Sequence, residues 1–171
     1  MLSYIILGVL TENEMSGYDL KKHIDKNFSL FYKVSYGALY PTLRKLSDKE
    51  LIRNDTTGER NKKIYSITQR GSDDFKVWLY SAINIDDNMN SNLAKIFFYD
   101  KLPDQKANEL LLDFEKNISD KLDILLEKKN ALKNYIDENN YFKFSTLYYG
   151  ISTLEEMRKW CKFIRNKNKL F

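Results

Sequence analysis

The sequence predicts a mainly α protein with one small β-hairpin near residue 60 and a long helix in its C-terminal half. Three observations carry this. Six glycines and two prolines in 171 residues leave few turns. Apolar residues recur at helical spacing through most of the chain. Residues with β-branched and aromatic side chains cluster in two short runs on either side of Gly58.

Leu2, Ile5, Ile6, Val9 and Leu10 fall at i, i+3, i+4, i+7 and i+8, the stripe of a short core-facing helix. Ser16 is placed to cap a second helix, with Asp19 three residues later standing where a capping box has Glu. The buried face predicted for it is Tyr18, Leu20 and Ile24. Asn27 to Lys33 interrupts the pattern, and Ser35 caps a third helix that runs to about Lys49 with Leu39, Leu43 and Leu46 inward. Leu51 to Asp55 and Ile64 to Thr68 read as two strands joined through Thr56 to Lys63, with Tyr65 and Ile67 on the face turned to the helices. Thr68 caps a fourth helix whose buried face is Phe75, Trp78, Leu79 and Ala82.

Asn84 to Asn92 is polar and short-chained, and divides the chain into a domain at 1–83, a linker at 84–92 and a helical domain at 93–171. Leu93 to Asp100 forms a short helix closed by Pro103. Asp104 then opens a stretch of about 35 residues without glycine or proline. Within it Leu111, Ile118, Leu125 and Leu132 recur every seven residues, with Phe114, Leu122 and Ile136 beside them. A last helix, Tyr141 to Arg165, lines up Leu147, Ile151, Leu154, Met157, Cys161 and Ile164. Leu112, Ile124 and Leu126 flank the seam, more apolar surface than one following helix covers. The Leu111, Ile118, Leu125 and Leu132 seam is therefore the expected contact with a second copy, making a homodimer.

Composition excludes several classes. The chain is 43% hydrophobic and 30% charged, and no apolar run nears the ~18 residues of a membrane span. Leu2 to Leu10 has no basic leader and no small-residue cleavage site, so a cytoplasmic protein is expected. One cysteine, Cys161, and one histidine, His23, exclude a disulfide framework and a thiolate metal cluster, and leave nothing for a zinc site or a His-based catalytic pair. No enzyme, cofactor or metal is expected. Asp86 and Asp87 read as solvated linker carboxylates.

Three short helices followed by a hairpin is the order of a winged helix-turn-helix, which puts helix three in the DNA major groove and the hairpin along the backbone. Opposite its leucines, helix three presents Gly37, Pro41, Arg44 and Asp48, flanked by Tyr40 and Lys45. Arg44 can grip guanine O6 and N7, or a phosphate. Pro41 removes one helical hydrogen bond and should kink the helix or delay its regular start. In the wing, Arg60, Lys62 and Lys63 suit phosphates. The entire excess charge of +4 falls within residues 1–72, the asymmetry that a nucleic-acid partner would select. The competing reading is a helical protein–protein interaction module without sequence-specific DNA binding. It accounts for residues 104–165 and leaves the basic wing unexplained.

Ser16-Gly17-Tyr18-Asp19-Leu20, then Tyr36-Gly37-Ala38-Leu39-Tyr40-Pro41-Thr42-Leu43-Arg44-Lys45-Leu46, Leu51-Ile52, and Lys63-Ile64-Tyr65-Ser66-Ile67-Thr68 with Gly71, resembles the PadR-type transcriptional regulators in spacing and order. The resemblance spans about residues 2–80. Ala94 to Leu102 and the segment around Gly150 and Trp160 look like the longer C-terminal dimerisation region of one PadR branch. The resemblance implies a homodimeric bacterial repressor, a winged helix on each chain, and a two-fold symmetric operator. It makes Ser35, Tyr36, Gly37, Tyr40, Arg44 and Lys45, with Arg60, Lys62 and Lys63, the expected contacts to double-stranded DNA. Some PadR-like regulators respond to phenolic or drug-like molecules, and Phe97, Phe98 and Trp160 are the residues expected to meet a small aromatic effector. Two positions depart from the pattern. Glu50 stands where the family has a glycine ending the recognition helix, and Phe31 stands where it often has tryptophan.

Overall fold

The computed structural model describes residues 1–57, 62–135 and 137–167, the side chains at 56, 57 and 62 excepted. Arg60, the side chain of Lys62, and Ile136 of the predicted seam therefore lie outside the described residues. Two compact units are present: residues 1–81 with 86–103, and residues 82–85 with 104–171.

The first unit contains α1 (Leu2–Leu10), β1 (Met15–Ser16), α2 (Gly17–Phe28), α3 (Tyr36–Asp48), β2 (Ile52–Thr57), β3 (Lys62–Ile67), α4 (Gln69–Tyr80) and α5 (Met89–Ile96), then a 3-10 turn at Tyr99–Lys101. This is a winged helix-turn-helix. The strands form an antiparallel sheet in the order β1-β3-β2, with Met15 opposite Tyr65 and Ser16 opposite Ile64. The third strand was not expected: two residues have no periodicity of their own, and β1 exists because β3 offers it an edge.

Local chemistry starts three of the helices. The side chains of Ser16, Ser35 and Thr68 accept from the backbone N–H groups of Asp19, Ala38 and Gly71 respectively. From Ile5 to Leu10 every residue of α1 is buried, the mark of a helix at the centre of its unit. On α2 the buried stripe is Leu20, Ile24 and Phe28. Tyr18, expected with them, is 61% exposed, because two residues turn a helix about 200° and put it on the far side from Leu20. Ala82 likewise drops out of the α4 face: the helix ends at Tyr80, Ser81 is extended, and Ile83 is the buried residue that follows. Pro41 does not delay α3, which begins at Tyr36 directly after its cap. Its missing N–H falls opposite the carbonyl of the exposed Gly37, where solvent can serve instead.

Helix α3 ends in a Schellman motif, with Leu51 N–H donating to Leu46 O and Glu50 N–H to Ser47 O, both at 2.9 Å. Glu50 itself takes the left-handed conformation, at φ 57°, which a side chain makes unfavourable by about 1–2 kcal/mol. Thr68 Oγ1 donates to the Glu50 carbonyl at 2.7 Å, and the Glu50 carboxylate meets Arg70 at 3.2 Å. Gly71 is required for space: a Cβ there would sit 1.9 Å from the Leu51 carbonyl oxygen.

The division between units differs from the predicted linker at 84–92. Asn88 caps α5 inside that segment, its side chain accepting from Asn90 N–H, and α5 belongs to the first unit. The reason is Phe98, 2% exposed. Its ring meets those of Phe28, Phe75 and Phe97 at 5.3–5.7 Å and lies where a Cβ on Gly8 would approach to 2.6 Å. Lys95 on α5 is also buried. Its ammonium lies 5.4 Å from the Trp78 ring and donates to Ser81 at the end of α4.

In the second unit α6 (Asp104–Leu132) is followed by a 3-10 turn at Lys133–Tyr135 and by α7 (Tyr141–Arg165). Glu115 on α6 pairs with Arg165 at 3.3 Å, and Leu125 meets Gly150, so α7 returns antiparallel. Leu111 and Ile118 are 6% and 0% exposed within the single chain. What remains of the predicted seam for a second copy is Leu125 and Leu132, both half-buried, which line an open groove of about 530 Å3 with Phe144 and Leu147.

Candidate nucleic-acid interface

The geometry of α3 separates its two faces. Leu39, Leu43 and Leu46 are buried, while Ser35, Tyr36, Gly37, Tyr40, Arg44 and Lys45 are all exposed. The leucines recur at three and four residues, so the polar residues between them are left outward. Tyr36 and Tyr40, one turn apart, stack at 6.1 Å with 18° between their planes. Lys21 on α2, itself paired with Asp25, places its ammonium 5.4 Å from the Tyr36 ring. Tyr40 lies against Gly17, where a Cβ would come within 2.9 Å of the ring. The tyrosine pair is thus braced from α2, a support that a face-by-face reading of α3 alone does not reveal.

Sheet register brings the wing to the same place. Asn54 pairs with Tyr65 and Thr56 with Lys63. By the two-residue alternation Lys63 and Tyr65 share the sheet face turned to α3. Arg53 and Ser66 occupy the other face, joined by a 3.0 Å hydrogen bond from Arg53 Nε to Ser66 Oγ. Between helix and wing lies a cleft of about 460 Å3, lined by Tyr40, Arg44, Ser47 and Asp48 from α3 and by Asn54, Lys63 and Tyr65 from the strands. Burial, and then the neighbouring Tyr40, push the Tyr65 hydroxyl above its ordinary pKa, keeping it a protonated donor. The sequence reading placed Arg44, Tyr40 and Lys63 on this surface. It missed Asn54 and Tyr65 as cleft residues, though strand alternation forward from Lys63 was the signal that could have found Tyr65.

The three expected effector residues divide between the units. Phe98 fills the core of the first, Phe97 beside it is 42% exposed, and Trp160 is half-buried on α7 in the second. Cys161 is buried, and burial pushes its thiol up to about 12, far from a reactive thiolate. Among the described residues no group of His, Cys, Asp and Glu could hold a metal ion, and no helix is long and apolar enough to cross a membrane.

Residues 6–77 match the model of the transcriptional regulator PadR-like family, and residues 90–167 match that of the virulence activator alpha C-terminal region. The negative transcriptional regulator PadR of Bacillus subtilis is 31% identical over 117 residues, 66% of this chain and 64% of that protein, so the chain spans less than two thirds of that relative's length. Two crystal structures of Bacillus subtilis PadR are each 25% identical and cover 97% of this chain. The one in complex with operator DNA aligns with 96% of its own chain at a TM-score of 0.48, and the one in complex with p-coumaric acid with 97% at 0.46. These relatives are regulators rather than enzymes. Residues 6–77 are therefore identified as a domain of the PadR-like family of transcriptional regulators.

Proposed function

We propose that this chain is a DNA-binding repressor that works in the cytoplasm, binds a palindromic operator as a homodimer, and is released by a small aromatic effector. The observation that carries the reading is the outward face of α3. Tyr36, Tyr40, Arg44 and Lys45 stand clear of the core beside Lys63 of the wing, the arrangement by which a helix enters the major groove while a hairpin follows the backbone. Repression is supported by the relative described as a negative regulator. A helical interaction module would leave this cation-bearing face without a purpose.

Dimerisation is supported by α7, on which Tyr141, Phe142, Tyr148 and Tyr149 are all more than 60% exposed. They recur at seven residues on neighbouring sides of the helix, ring surface that a second copy would cover. For the effector, the exposed ring of Phe97 in the first unit is the candidate contact. Its action would be to favour dimers whose wings are wrongly spaced for the two half-sites.

The test is affinity for the intergenic DNA beside the chain's own gene against mixed-sequence duplex, with sedimentation of the intact protein. Preferential binding by a dimer is expected. Equal affinity for both DNAs would end the repressor reading, and a single species of 20.3 kDa at micromolar concentration would end the dimer.

A further inference from the structure

Arg44 and Lys63 face the cleft beside α3 from its two walls, one on the helix and one on β3. One carboxylate, Asp48, shares the lining and leaves it net positive. The remaining polar groups are neutral donors: the hydroxyls of Tyr40 and Tyr65 and the side-chain amide of Asn54. The hydroxyl of Ser47 is buried in the α3 wall without a hydrogen-bond partner. Tyr40 is braced by Gly17 and Tyr36, so this donor is held in place before anything binds. Two cations converging with several neutral donors on one cleft match a group that carries negative charge on several oxygens.

Position along α3 points the same way. A recognition helix reaches base edges chiefly through its N-terminal residues. Arg44 stands eight residues beyond Tyr36, about 12 Å further along the axis, where the wing closes on the helix.

We propose that this cleft seats one phosphodiester of the DNA backbone between Arg44 and Lys63, with Tyr40 and Asn54 as neutral donors. Arg44 therefore grips the backbone, and base reading falls to the Tyr36–Gly37 end of the helix. This inference rests on the DNA-binding reading above.

The experiment uses the full chain and a mixed-sequence duplex of about 30 base pairs, with affinity followed across a salt series. Arg44→Ala and Lys63→Ala should each lower the slope of log affinity against log salt by about one. Arg44→Lys should keep the slope, since an ammonium can meet a phosphate but cannot fork onto guanine. Both positions are exposed, so neither substitution threatens the fold. An unchanged slope in Arg44→Ala, or a loss in Arg44→Lys as large as in Arg44→Ala, overturns the seat. A wild-type chain that binds no duplex at all overturns the DNA-binding reading instead. In a parallel arm, inorganic phosphate replaces chloride at constant ionic strength. Displacement of duplex by phosphate, with all slopes unchanged, would give the cleft to a free anion and overturn the proposal as well.

Discussion

The first unit closes its core with rings brought together from distant parts of the chain, whereas the second relies on one seam between two helices. Phe28, Phe75 and Phe98 lie 70 residues apart in sequence from first to last, and they meet over a glycine on α1. In the second unit α6 and α7 bury Leu111, Phe114, Ile118 and Leu122 with Ile151, Leu154 and Cys161, yet leave the aromatic residues at the start of α7 in solvent. A unit that completes its own core can turn a polar helix face outward for a partner of another kind. One that leaves rings exposed still has apolar surface to cover. The comparison is the ground for proposing recognition in the first unit and self-association in the second.

Core truncation should separate the two most sharply. Phe98→Ala removes a fully enclosed ring and should destabilise the first unit by about 3–5 kcal/mol, measured by urea denaturation. Phe142→Ala, at a side chain 84% exposed, should leave the stability of the isolated chain almost unchanged and instead weaken the dimer in sedimentation. Equal losses of stability for both would break the comparison.

Glycine substitutions sharpen it. Gly71→Ala forces a Cβ against a backbone carbonyl at 1.9 Å and should destabilise by about 3 kcal/mol, since neither strand nor helix can shift freely. At Gly150 the added Cβ meets only the tip of Leu125 at 3.2 Å, and the helical gain of about 1 kcal/mol from replacing glycine offsets that contact. Gly150→Ala should therefore be close to neutral in thermal melting. A stabilised Gly71→Ala would refute the close packing of α4 on the end of α3.

Lys95 tests the seat of α5 in the first unit. Burial lowers its pKa to about 8 from 10.5, with Asp87 acting in the opposite sense. Between those values the unfolded chain holds a proton that the folded chain has released, so stability should rise as pH increases from about 8 toward 10.5. The rise should be on the order of 2 kcal/mol. Lys95→Met should lose this component of the pH profile, read as the difference between the two melting curves at each pH. An identical pH dependence in both would show that the ammonium is not buried.

A gain rather than a loss is expected at Glu50. Glu50→Gly relieves a left-handed residue with a side chain and gives up an ion pair with Arg70 that is exposed on both sides, so it should stabilise by about 1 kcal/mol. A loss of stability would mean that the carboxylate matters more than the backbone.

Much of the first unit was legible because its signals are local. A serine or threonine cap acts across three residues, and a leucine stripe repeats within one or two turns, so α1, the caps of α2, α3 and α4, and the outward residues of α3 could be read directly. The span Tyr141–Arg165 was legible for the same reason. At Glu50 the resemblance marked a missing glycine, and the structure keeps the left-handed conformation there with a side chain in its place. Ser35, Tyr36, Gly37, Tyr40, Arg44 and Lys45 owe their exposure to that leucine spacing, since fixing one face of a helix fixes the other.

The sequence by itself determined α1 to α4, the caps of α2, α3 and α4 and the leucine face of α3, because these follow from hydrogen bonds and periodicities within a few residues. Only the tertiary structure decided which elements share a core. β1 forms because β3 lends it an edge. Tyr65 and Asn54 meet Arg44 because sheet register carries one strand face toward α3. Leu111 and Ile118, expected on the contact with a second copy, are buried within the single chain. Phe98 draws α5 into the first unit across a polar segment that reads as a boundary. Such pairings depend on which apolar surfaces find each other across tens of residues, and burial energy carries no record of sequence distance.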